Sequence, residues 1–210
     1  MPFNPSYFTP YAYRVFAEVD HSHDWLSVID SGYTTLFAAS RANLDASRSA
    51  GLPPDWVGVD AHTGDVTALA LAGKTDTTAY AYDAPRTYWR IAVDLQWSGD
   101  GRAEAYLRLA GFLRDEVARK GLPSAAYEHD GSVKDESVSA VGVAGALAAL
   151  STLEPASSHG LFAQGVLGRV QVEPGGGMTW DDPDDIYAQA WGWFGTALYA
   201  GRIGDLWHAS

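Results

Sequence analysis

Ser137-Val138-Ser139-Ala140-Val141-Gly142-Val143-Ala144-Gly145-Ala146-Leu147-Ala148-Ala149-Leu150 is the stretch that decides the architecture. Ala and Leu favour helix, and the run contains no Pro, so the spacing predicts a helix over about 137–150. Its apolar residues leave no polar stripe, and such a helix must be buried on most sides. The neighbouring segments are of two kinds. Arg102 to Arg119 reads as amphipathic. Tyr106, Leu109, Ala110, Leu113 and Val117 recur at helical spacing, while Arg108, Arg114, Asp115 and Arg119 face elsewhere, and Gly121 and Pro123 stop the pattern. Asp184 to Gly201 is the opposite case, with Ile186, Tyr187, Trp191, Trp193, Phe194, Leu198 and Tyr199 around most of its circumference. Further helices are expected over Ser158–Val170, Asp83–Trp97, Trp25–Arg41 with Asp24 as N-cap, and Tyr11–Val19. Pro174-Gly175-Gly176-Gly177 is the most flexible stretch and lies between two helices. About seven helices, some amphipathic and some apolar all round, suit concentric packing in an all-α domain. An outer ring would shield an inner one, with bundle and globin-like packings as the other options. The pattern changes after Gly51-Leu52-Pro53-Pro54-Asp55. Short runs flanking His62-Thr63-Gly64 read as a small β-hairpin insertion around residues 56–70.

The chain has 210 residues, of which 47% are apolar and 19% charged, so residues 1–210 read as a single domain. Its formal net charge of −12 repels phosphate backbones and anionic lipid, which argues against nucleic acid or a membrane surface as partner. A neutral polymer is compatible with it. With no Cys, disulfides and thiolate metal sites are ruled out. No apolar stretch has the length of a membrane helix. Met1-Pro2-Phe3-Asn4-Pro5 has neither the basic nor the apolar region of a signal peptide, so the chain is expected to be cytoplasmic or to begin downstream of its true start. No phosphate-binding glycine loop, serine nucleophile elbow or zinc motif occurs, and neither cofactor nor metal is expected. His21 and His23 around Ser22 read as a loop ahead of a cap. Asp181-Asp182-Pro183-Asp184-Asp185 reads as a solvated helix start, with Ca²⁺ binding as the sharper alternative.

Eight Trp and eleven Tyr are mostly core material, but some could line a cleft that stacks on the apolar faces of sugar rings. The densest meeting of carboxylate, aromatic and Arg is Tyr82-Asp83-Ala84-Pro85-Arg86-Thr87-Tyr88-Trp89-Arg90. Asp83 and Arg86 are three apart and can share a face at a helix start. A neighbouring Arg favours the charged form of a carboxylate. The plainer reading makes Asp83 the N-cap of a helix with Pro in its first turn.

Tyr82-Asp83-Ala84-X-Arg86 resembles the base-bearing segment of family 8 glycoside hydrolases. Asn4-Pro5-Ser6-Tyr7-Phe8-X-Pro10 is similar to that family's Asn-Pro-Ser-Tyr segment. Gly51 to Val57 and Leu198-Tyr199-Ala200-Gly201-Arg202 also resemble family segments, in the family's order. The resemblance implies part of an (α/α)6 toroid and inverting endo-hydrolysis of a β-1,4-linked polysaccharide such as cellulose or a related glucan. Carried over, Asp83 is the general base that activates water, Tyr82 and Arg86 hold that base or the adjacent sugar, and Tyr7 contacts substrate. Pro85 stands where many relatives have another residue. The family's general acid is a Glu in a Gly-Glu-Gly-like segment that precedes Asn-Pro-Ser-Tyr. Here that segment begins at residue 4, so the acid is expected to be absent. Glu18, Glu128 and Glu136 sit in no comparable context and read as surface. The chain therefore reads as the second half of the toroid, with activity reduced or lost and with self-association through uncovered inner helices. The resemblance also implies a secreted or periplasmic location. The alternatives are a non-catalytic carbohydrate-binding or interaction fragment of such an enzyme, and an α/α-barrel sugar epimerase. The latter needs paired cleft histidines, whereas the six His here are scattered.

Overall fold

The apolar run forms α6 (Ala140–Leu153), and every residue from Val141 to Leu150 is buried. Ser139 caps it, its Oγ accepting from the Gly142 N–H at 3.1 Å. The chain was described from a computed structural model, which covers residues 1–45, 48–70 and 77–208. Around α6 the helices alternate between two layers. The inner row runs α1 (Pro10–Val19), α3 (Pro85–Ser98), α6 and α8 (Ile186–Tyr199), each packed on the next. Outside it, α2 (Trp25–Arg41) lies on α1, α4 (Gly101–Leu107) on α3, and α7 (Pro155–Gly165) on α6, with α5 (Gly111–Lys120) against α7. This is the helical double layer of an (α/α)6 toroid, present in part.

Close approach within the inner row depends on two glycines. A Cβ on Gly145 of α6 would lie 2.5 Å from the Pro85 carbonyl oxygen at the start of α3. A Cβ on Gly195 of α8 would lie 2.7 Å from the Ala144 Cβ. Larger side chains at either point would push α3 or α8 off α6. Ile91 of α3, Leu147 of α6 and Leu161 of α7 are fully buried, each stabilising the fold by about 1.5–3 kcal/mol.

Away from the apolar core, α1, α2 and α3 are locked by charge. Asp94 of α3 is fully buried and accepts from Arg14 Nε at 2.8 Å, Arg14 Nη2 at 3.1 Å and the Tyr33 hydroxyl at 2.6 Å. Arg14 also reaches Asp100 at 2.6 Å. A bidentate partner and a third donor satisfy a carboxylate that burial would otherwise penalise.

The amphipathic segment expected over 102–119 is interrupted. A 3-10 turn at Arg108–Ala110 separates α4 from α5. The Leu109 carbonyl there packs 3.1 Å from the ideal Cβ position of Gly51, whose φ is 83°. The apolar stripe survives the interruption, with Tyr106, Ala110, Leu113 and Val117 all buried. The helix expected from Ser158 begins earlier, with Pro155 in its first turn, and ends at Gly165.

Among the described residues, three small antiparallel sheets accompany the helices. The expected insertion contains β2 (Val57–Val59) and β3 (Val66–Thr67), and β1 (Pro2–Phe3) pairs on the outside of β2 with Pro2 opposite Gly58. Two hairpins were not read from the sequence: β4 (Ala126–Tyr127) with β5 (Val133–Asp135), and β6 (Val170–Val172) with β7 (Met178–Trp180). The glycine run at 175–177 is the tip of the second hairpin, with Gly176 at φ 80°.

Candidate active site

Asp83 lies in the turn that leads into α3, at the inner row's edge, with its side chain 21% exposed. Three donors from three segments converge on its carboxylate. Arg86 Nη2, in the first turn of α3, reaches Oδ1 at 2.5 Å. Asn4 Nδ2 reaches Oδ2 at 2.7 Å and Trp56 Nε1 reaches the same oxygen at 3.2 Å. The β1–β2 pairing explains the convergence. It lays residues 2–3 beside 57–58, which carries Asn4 and Trp56 to the same place.

The supporting contacts are continuous. Asn4 Oδ1 accepts from the Ser6 N–H at 2.9 Å and from the Ser6 hydroxyl at 2.7 Å. Arg86 Nη2 also donates to Ser6 Oγ at 2.7 Å. Tyr7 follows in the same 3-10 turn (Pro5–Tyr7). Its ring sits edge-on to Trp56 with centroids 5.7 Å apart, and the Arg86 guanidinium lies 5.6 Å from its centroid. Tyr7 is 59% exposed and Tyr82 is 80% exposed, so both rings are free to take a ligand's apolar face. Tyr82 is tied by its backbone, its carbonyl accepting from the Tyr187 hydroxyl of α8 at 2.8 Å.

The structure thus brings Asp83, Arg86 and Tyr7 together and sets Tyr82 beside them with its ring in solvent. It corrects the reading of Asp83 as a helix cap. The cap position of α3 belongs to Ala84, and no side chain of its own segment caps the helix. The turn ahead of the helix is instead held by Asp55, a residue the sequence reading did not single out. Asp55 Oδ1 accepts from the N–H groups of Asp83 at 2.9 Å and Ala84 at 2.7 Å, and Oδ2 accepts from that of Tyr82 at 3.2 Å. Burial pushes the Asp55 carboxyl above its ordinary value, and the Ala84 and Asp83 N–H groups pull against that rise. Asn4 and Trp56 were missed as well. Both lay within quoted segments, but only the β1–β2 register reveals that they face one carboxylate.

The candidate acids lie on other business. Glu18 accepts from Trp207 Nε1 at 2.8 Å and contacts His208 Nε2 at 2.9 Å. Glu128 pairs with Lys134 at 2.8 Å, and Glu136 is exposed. Among the described residues none of the three shares a hydrogen-bond partner with Asp83. His23 Nδ1 contacts Asp20 at 2.8 Å ahead of Asp24, which caps α2 through the Ser27 N–H. In the acidic run, Asp181 pairs with Arg169, and Asp185 caps α8 by accepting from the Ala188 N–H at 2.9 Å.

The sequence profile of the family described as "Glycosyl hydrolases family 8" matches residues 1–153. The chain belongs to glycosyl hydrolase family 8. It is 36% identical over 102 residues to Endoglucanase A of Acetivibrio thermocellus, covering 49% of this chain and 19% of that protein. It is 32% identical over 103 residues to Endoglucanase C of Ruminiclostridium cellulolyticum, with the same coverages. Among solved structures, the apo β-1,3-1,4-glucanase of Paenibacillus sp. X4 superposes with a TM-score of 0.75 at 21% identity, covering 97% of this chain and 50% of that one. A family 8 protein of Teredinibacter turnerae in complex with xylobiose gives 0.66 at 16% identity, covering 97% and 47%. These superpositions show the fold, and at 97% of this chain they extend beyond the profile match. The family 8 chain described here spans about half the length of those structures. Among the described residues no helix is long and apolar enough to cross a membrane.

Proposed function

We propose that this chain is the base-bearing part of an inverting endo-hydrolase of β-1,4-linked glucan or a related polysaccharide, acting outside the cytoplasm where such polymers lie. Asp83 is the general base. The observation that carries this reading is the state of its carboxylate. An ionised carboxylate offers about four lone-pair sites. Asn4, Trp56 and Arg86 occupy three of them, which leaves about one for a water, on a side chain still open to solvent. A base in an inverting mechanism needs just such a water between itself and the anomeric carbon. Tyr7 and Tyr82 offer rings to the sugar, and Arg86 holds the base against Ser6.

Residues 1–210 act as one domain in which none of Glu18, Glu128 and Glu136 serves as the general acid, the first two being engaged elsewhere and the third exposed. Asp55 does not serve either, because backbone N–H groups occupy both its oxygens. Losing a general acid costs on the order of 10²–10⁴-fold in rate. The exposed edge between α1 and α8 carries a groove of about 610 Å³ lined by Tyr11, Phe16, Trp97, Trp193, Leu206 and Trp207. A second copy covering such an apolar surface accounts for it, and light scattering that finds only monomer at high concentration would remove that part of the proposal.

The test uses 2,4-dinitrophenyl β-cellobioside, whose leaving group departs without protonation. Hydrolysis releasing the α-anomer first, as followed by ¹H NMR, is expected. Asp83→Asn should abolish it while cello-oligosaccharide binding persists. Unchanged turnover in that variant, or a β-anomer as first product, rules the reading out.

A further inference from the structure

Asp55 does more than steady a turn. Asp55 and Trp56 are consecutive, and together they grip both the backbone and the side chain of Asp83. The Asp55 carboxylate holds the N–H groups of residues 82, 83 and 84, while the Trp56 indole N–H holds the Asp83 carboxylate. The pair is itself anchored, its own N–H groups donating to the carbonyls of Ala79 at 2.8 Å and Thr77 at 2.7 Å. The N–H groups of residues 82–84 lie in the turn ahead of α3, and a buried carboxylate with both oxygens on three successive N–H groups fixes the position and tilt of that turn. We propose that Asp55 is a positioning residue for Asp83. It sets the backbone from which the proposed base projects, and so the distance from its carboxylate to the attacking water. The kinetic part of this claim rests on the proposed function above; the placement part does not.

Displacing a reacting group by 1 Å can cost about 10²-fold in rate. Asp55→Asn keeps one acceptor oxygen but turns its amide N–H toward the Tyr82 N–H, donor against donor. In ¹⁵N NMR of the wild-type chain, the Asp83 and Ala84 amides should be protected from exchange, although both precede the first helical hydrogen bond of α3. In Asp55→Asn that protection should be lost and the Trp56 Nε1–H resonance should move. Turnover of the dinitrophenyl cellobioside should fall 10–100-fold, with KM nearly unchanged. Ser40→Ala, which strips the buried Tyr106 hydroxyl of its 2.8 Å partner elsewhere, serves as the control. It should lower the melting temperature and leave kcat and the Trp56 resonance in place. An Asp55→Asn protein with wild-type kcat, or with an unmoved Trp56 resonance, overturns the proposal. If that variant does not fold, the wild-type chain decides. Unprotected Asp83 and Ala84 amides refute the placement, and protected ones support it. A wild type that hydrolyses nothing sinks the hydrolase reading alone, since the exchange and resonance data still judge the placement.

Discussion

Gly145→Ala is the most informative perturbation of the inner row, because it sets a familiar stabilising substitution against a backbone that cannot yield. In a free helix the exchange gains about 1 kcal/mol from propensity. Here the new methyl would sit 2.5 Å from the Pro85 carbonyl oxygen, 2.9 Å from Pro85 Cβ and 3.0 Å from its carbonyl carbon. Ordinary contact begins near 3.4 Å, so α3 must retreat from α6 by several tenths of an ångström. Overpacking of this kind costs about 1–3 kcal/mol, with the upper part expected against backbone. The net destabilisation is about 1–2 kcal/mol, or a fall of about 2–8 °C in melting temperature for a chain of this size. Gly160→Ala in α7 is the counterpart. Nothing lies within 4 Å of the added methyl there, so propensity alone should act and raise the melting temperature by about 2–4 °C. Scanning calorimetry on the pair reads opposite signs. Because Pro85 is two residues from Asp83, Gly145→Ala should also slow hydrolysis of the activated cellobioside. A Gly145→Ala protein that melts at or above wild type would refute the close-packing account.

Two other perturbations reach different parts of the molecule. Arg14→Met leaves Asp94 buried with only the Tyr33 hydroxyl among its described side-chain donors, so a loss of about 3–5 kcal/mol is expected in urea unfolding. A loss below 1 kcal/mol would show that the carboxylate had found another partner. The C-terminal tail should respond to pH in both directions. Asp205 and then Glu18 raise the His208 imidazole above its ordinary value, so its contribution is complete below about pH 6.5 and fades as pH rises through the raised value. Glu18 is held below its ordinary value by Trp207 and then His208, and Asp205 by His208, so their contribution fades as pH falls through those lowered values. Trp207 fluorescence should therefore show the tail attached between the two limits and released outside them, and high salt should weaken the attachment. A signal flat across both limits would refute this.

How legible this was in the sequence differs from element to element. α6 announced itself because fourteen residues without a polar stripe have one physical solution, and α2 because Asp24 supplies its cap locally. The break between α4 and α5 was hidden, since the apolar stripe runs through it without interruption and no Gly or Pro stands at Arg108–Ala110 to mark it. The β6–β7 hairpin was hidden for another reason: three-residue strands carry too little alternation to outweigh a glycine run that also suits a linker. At the site, Asp83 and Arg86 were readable because they share a helix turn. Asn4, Trp56 and Asp55 were not, because their roles arise from pairing between distant segments. The Asp83 cap reading failed because its carboxylate is taken by the side chains of Asn4, Trp56 and Arg86 rather than by N–H groups of its own helix.

That non-local anchoring also sets an order of events as the chain folds. The turn that carries Asp83 draws its ties from Asp55 and Trp56, 28 and 27 positions earlier, and from Asn4, 79 positions earlier. The α3–α6 contact also closes a long loop, Gly145 meeting Pro85 from 60 positions away, but its buried apolar side chains offset that entropy. These ties, in contrast, are a few hydrogen bonds at a partly exposed turn, so the α3–α6 pair condenses early and the ties engage late. Run in reverse, the same ordering makes this corner the first to open under mild denaturant. Catalytic competence should then disappear while most of the helical dichroism is still intact.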